Sequence, residues 1–241
     1  MSVERIREPQ PAPVGAAAAE RVFEWLSAER GSRIFHPQGT AYRAVVRVDD
    51  GVDGVPLLAA GSAHDAVVRF SRGLGLPRGW PEFLGLALRI GGEQDLLLAS
   101  SSPSPLVRMV PLPARSFFGT TLSSLLPFDA GPRVVFAGAL VHGRPTGDDD
   151  QLTELANTRG PVTAVLLVAE LGKPWRRFGG LELGERLPDE EGRRLRFDPW
   201  NCAGGLVPRG WINRLRRPAY RGSRRGKPVE ATPLDRTRTA L

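Results

Sequence analysis

Punctuation constrains this chain more than any other feature of its sequence. Short apolar runs recur along most of the 241 residues, separated by turn signals such as Asp49-Asp50-Gly51, Gly91-Gly92 and Gly147-Asp148-Asp149-Asp150. Eight runs read as strands: 41–48, 66–71, 84–90, 94–99, 133–141, 162–171, 179–184 and 193–197. The run Val135 to Val141 is apolar nearly throughout, which suits a strand buried on both faces. Helical periodicity is confined to 16–30, where Val22, Phe23 and Leu26 recur before Gly31, and to a basic piece around 211–226. The segment 111–128 reads as a loop leading into a short helix. Many short strands with few helices predict a mainly β (α+β) fold, an eight-stranded antiparallel β-barrel with a few flanking helices. The interior of such a barrel is filled by side chains or holds one ligand. The expected organisation is an N-terminal arm and helix over 1–32, the barrel over 33–200, and a basic helix and tail over 201–241.

Composition excludes several classes. Apolar residues make up 41% of the chain without a run of about 18, so no helix is expected to span a membrane. The charged start, Met1 to Gln10, has no apolar core of a signal peptide. One cysteine, Cys202, excludes a disulfide framework and any CxxC motif, and fits a reducing, cytoplasmic location. The net charge of +7 is concentrated at the end: from Arg209 to Leu241, ten Lys or Arg stand against Glu230 and Asp235. Such a segment can meet nucleic acid, an anionic membrane surface or an anionic ligand, or remain solvated. Nucleic acid ranks low, because Trp211 and Tyr220 make a thin stacking platform. A homo-oligomer is left open.

Familiar catalytic signatures are missing: no GxSxG elbow, no HExxH, and no GxGxxG between a strand and a helix. Gly222 to Pro228 imitates a phosphate loop, but its glycines are one residue too close and Pro228 stands where Ser or Thr would hold magnesium. His36, His64 and His142 lack metal-ligand spacing.

Three short motifs carry the chemistry together. Arg33-Ile34-Phe35-His36-Pro37-Gln38-Gly39 precedes the first strand; Val68-Arg69-Phe70-Ser71 ends a strand with a cation and a hydroxyl; Arg216-Arg217-Pro218-Ala219-Tyr220 sets an arginine four residues before a tyrosine. In this order they resemble the haem catalase-like superfamily, whose motifs are R-x-x-H-x-x-G, V-R-F-S and R-x-x-x-Y. Between them, Glu82 to Arg89 echoes the family's D-x-R-G-x-A-x-K, and Asp95 to Pro103 its D-L-V-G-N-N-T-P with one residue inserted. The landmarks span 33–220, and the resemblance implies a barrel of catalase-core type around haem b.

By that resemblance, His36 is the distal base, which accepts and returns the peroxide proton near neutral pH. Ser71 fixes its tautomer, and Arg33 and Arg69 hold the propionates. Tyr220 is the axial iron ligand, its phenolate favoured by Arg216, and Phe70 and Phe117, with Phe35 and Phe118, line the pocket. Ser100 or Ser101 takes the place of the family's peroxide-steering Asn, Leu84 replaces an Arg, and the chain is much shorter than a typical catalase. The function implied is a haem-dependent, catalase-like peroxidase acting on hydrogen peroxide or an organic or lipid hydroperoxide. The alternative is a haem-free barrel that binds an apolar ligand.

Overall fold

A computed structural model describes residues 38–209. The expected helices at 16–30 and 211–226 lie outside the described residues, as do Arg33, His36, Arg216 and Tyr220.

Eight antiparallel strands close into a barrel. In chain order, β1 (Gly39–Val48), β2 (Ala63–Arg72), β3 (Leu84–Ile90) and β4 (Gln94–Ser100) form a meander. The short β5 (Thr121–Ser123) pairs with β4 and with β7 (Arg133–His142). From β7 the sheet passes through β8 (Thr163–Glu170) and β9 (Arg176–Arg186) back to β1, so closure rests on the β7–β8 and β9–β1 pairings. Two three-residue strands, β6 (Phe128–Ala130) and β10 (Leu206–Pro208), extend the sheet beyond β7. The helices are α1 (Gln151–Asn157) and α2 (Asp189–Arg194).

The barrel follows from period-two alternation. On β1, Tyr42, Ala44, Val46 and Val48 face inward; on β2, Ala66, Val68 and Phe70; on β3, Leu84, Leu86, Leu88 and Ile90. Phe70 lies edge-on to Phe117 at 5.0 Å between ring centroids, and to Tyr42 at 6.1 Å. Side chains therefore fill this part of the interior. A bulge at Phe178 shifts the β8–β9 register, and a Cβ on neighbouring Gly179 would come within 2.3 Å of the Arg47 carbonyl. Glycine is required there by the close approach of β1.

Seven of the eight expected strands are present, and β7 is buried on both faces around Val135 to Ala139, as its apolar run implied. The eighth is not 193–197. Arg193 and Arg194 close α2, where Arg194 pairs with Glu190 one turn earlier, so the alternation there reflects helix charges rather than a pleat. The missing strand is β5, inside the segment expected to lead into a helix. Leu125 turns with φ of 58° just after it, which ends any regular element.

Candidate functional site

The register fixes which side chains share the outer wall. Val68 and Phe70 point into the core, so Arg69 and Ser71 project from the opposite face of β2. Ser71 stands opposite Gly39, the last residue of the RxxHxxG motif, and Arg69 opposite Ala41. A Cβ on Gly39 would meet the Arg69 guanidinium at 2.6 Å, so only glycine lets that cation lie flat against β1. Helix α2 covers the neighbouring patch, where Gly192 would touch the Ala41 methyl through a Cβ at 3.3 Å.

Continuing across the sheet, Ser71 pairs with Gly85, Gly85 with Ala99, Ala99 with Ser123, and Ser123 with Gly138. Six adjacent strands thus present nothing larger than a serine along one outer line. Such a line lets another group approach the backbone closely. At one end that group is Arg69 over Gly39; at the other it is Trp175, whose ring would meet a Cβ on Gly138 at 2.9 Å. Ser71 is buried, and its hydroxyl has no hydrogen-bond partner among the described residues.

The remaining candidates fall elsewhere. Phe70 and Phe117 are core residues on the inner side, away from Arg69 and Ser71. Ser100 accepts from the Leu84 N–H at 3.0 Å and donates to the Leu112 carbonyl at 2.6 Å. Ser101 Oγ lies 2.7 Å from the Val110 carbonyl and 3.0 Å from that of Arg108. Both hydroxyls tie the loop after β4 to the barrel, and Ala99 holds the position in line with Ser71. Glu82 is likewise structural: its carboxylate accepts from the N–H groups of Leu74, Leu76 and Phe83. Tyr42 sits in the core, its hydroxyl without a partner; burial raises its pKa, partly countered by Arg186. Among the described residues no cluster of three or more His, Cys, Asp or Glu side chains could hold a metal ion.

Four polar features escaped the sequence reading. At the barrel end, buried Arg72 donates to Asp150 at 2.5 Å and to the Leu76 carbonyl. Asp150 also caps α1, accepting from the N–H and hydroxyl of Thr153. Burial pushes its pKa up, but those Thr153 bonds and the charges of Arg72 and Arg78 outweigh it, and the carboxyl is held below its ordinary value. On the outer wall, Arg108 lies 4.1 Å from the centre of the Trp175 ring and donates to the Lys173 carbonyl, with no carboxylate partner among the described residues. Burial lowers its pKa. Nothing local in a single Arg, Asp or Trp could have announced these pairs.

No protein-family model and no curated protein sequence matches the chain. Solved structures do match its fold. A bacterial catalase aligns with TM-score 0.55 and 13% identity over 93% of this chain and 63% of its own length. A fungal catalase gives 0.53 and 11%, over 91% and 64%; catalase A from Saccharomyces cerevisiae gives 0.51 and 11%, over 93% and 67%. The chain therefore spans less than two thirds of two of these proteins. At such identities the likeness shows the fold: a closed barrel of the catalase-core type. Among the described residues no helix is long and apolar enough to cross a membrane.

Proposed function

We propose that this chain is a haem-dependent, catalase-like peroxidase that acts on hydrogen peroxide or an organic hydroperoxide. The observation that carries the reading is the juxtaposition of Arg69, Ser71 and Gly39 on one outer wall of a catalase-type barrel. The described residues fit a haem at this wall. A guanidinium stands beside a line of small residues, which suits one carboxylate arm and one flat face. The unpartnered Ser71 hydroxyl is opposite Gly39, three residues after His36.

When bound, haem supplies the redox-active iron that exchanges electrons with peroxide. His36 would take a proton from peroxide and return it to the departing oxygen. Ser71 accepts a hydrogen bond from the other ring nitrogen and holds the tautomer that leaves the working nitrogen basic. Arg69 and Arg33 would hold the propionates, and Tyr220, its phenolate favoured by Arg216, would hold the iron. Ser101 is engaged by the loop after β4 and offers no amide to steer peroxide, so slow turnover is expected. The inner face is packed by Tyr42, Phe70 and Phe117, which favours this wall over a ligand inside the barrel.

The test is spectroscopic and kinetic. Full-length protein expressed with a haem supply is expected to show a Soret band that Tyr220→Phe abolishes or shifts. His36→Ala is expected to reduce peroxide turnover by about 100-fold or more while the band remains. A colourless protein with full β content would overturn haem use, and equal turnover in His36→Ala would overturn the distal base.

A further inference from the structure

The barrel end where β1 begins and β2 ends carries a cleft of about 540 Å³, a size suited to a small ligand. Four guanidinium groups and two carboxylates line it: Arg72, Arg78, Arg186 and Arg193 with Asp150 and Asp189. Both carboxylates are already committed. Asp150 takes Arg72 at 2.5 Å, and Asp189 takes Arg186 at 2.8 Å. Arg78 and Arg193 form no ion pair among the described residues, and along the described walls the four guanidinium groups exceed the two carboxylates by two charges. A second observation points the same way. The Arg72 side chain is 4% exposed, yet its Nε has no hydrogen-bond partner among the described residues, although the rest of the guanidinium is pinned by Asp150 and the Leu76 carbonyl.

An excess of guanidinium groups and carboxylates already engaged by arginines make a poor site for a cation. They suit an acceptor-only ligand, because guanidinium forks match the paired oxygens of phosphate and carboxylate. We propose that this cleft binds a small, doubly charged oxyanion, a phosphate group or a dicarboxylate, through the exposed guanidinium groups of Arg78 and Arg193. Asp150 fixes the orientation of the Arg72 guanidinium in the cleft wall. The ionised state of Asp150 keeps that arrangement through the neutral range. This site does not depend on haem.

Isothermal titration of the full chain, prepared without haem and held at constant ionic strength in chloride, tests the proposal with inorganic phosphate and, separately, malonate. Saturable one-to-one binding is expected for at least one probe, and whichever binds identifies the ligand chemistry. The double variant Arg78→Ala, Arg193→Ala alters exposed positions and leaves Arg72 intact; it is expected to weaken binding by about tenfold or more. Arg133→Ala, in the Asp53 and Glu170 cluster beyond the other end of β1, is expected to leave it unchanged. Absence of saturable binding by both probes, binding that survives the double variant, or equal weakening in Arg133→Ala would overturn the proposal. Phosphate or malonate binding by a protein that takes no haem would sink the peroxidase reading alone.

Discussion

Arg72 at the barrel end and Arg108 on the outer wall are buried almost equally, at 3% and 1% exposure, yet their surroundings differ in kind. Arg72 donates to a carboxylate that also caps a helix. Arg108 lies over the indole of Trp175 and near the ring of Phe136, and its Nε and Nη1 have no hydrogen-bond partner among the described residues. A carboxylate answers a buried cation with full opposite charge and makes each partner costly to remove. An aromatic face answers it with a weaker quadrupole, and much of the side chain's contribution is then packing. The first arrangement holds a donor in one orientation, as a binding site needs; the second seals the wall where Gly138 allows a ring to lie against β7.

Removing Asp150 gives the largest expected effect. Asp150→Ala leaves the Arg72 charge buried and α1 uncapped, with a loss of about 3–5 kcal/mol in urea unfolding. A loss below about 1 kcal/mol would mean that Arg72 does not need its partner. Trp175→Leu removes the ring beneath Arg108 and the cover of Gly138, and a loss of about 2 kcal/mol is expected by the same assay. Arg108→Met keeps the volume and discards a charge without a carboxylate, so stability is expected to stay within about 1 kcal/mol of the parent or to rise. A loss as large as that of Asp150→Ala would erase the contrast between the two arginines.

The smallest effect lies in pH dependence. The folded pKa of Asp150 is depressed, so its contribution is complete above the ordinary value of 3.8 and is lost as the pH falls through the lower folded value. The stability gap between the parent and Asp150→Asn is therefore expected to be level from pH 5 to pH 8 and to narrow below about pH 4. The gap between the parent and Arg108→Met is expected to show no such narrowing from Asp150. Urea titrations of the three proteins across that range decide it.

Legibility followed the length scale of the interaction. Val68-Arg69-Phe70-Ser71 could be read directly, because alternation along a strand puts Arg69 and Ser71 on one side and Phe70 on the other whatever the strand pairs with. The same alternation sends Phe70 to the inner side, where it is buried beside Phe117. Thr121-Leu122-Ser123 could not be read, since three residues carry too little period to distinguish a strand from a loop. At 193–197 the opposite failure occurred: charges placed for a helix end imitated alternation.

The sequence by itself determined the alternating strands, the two-faced burial of β7 and the shared side of Arg69 and Ser71, because each depends only on neighbours a few residues away. Tertiary structure alone decided that β7 meets β8 to close the barrel, that six small residues align across the wall, and that Arg72 finds Asp150 across 78 positions and Arg108 the Lys173 carbonyl across 65. Those partners are chosen by register and by the path of the loops, and a buried polar group accepts whichever partner the closed sheet brings within reach.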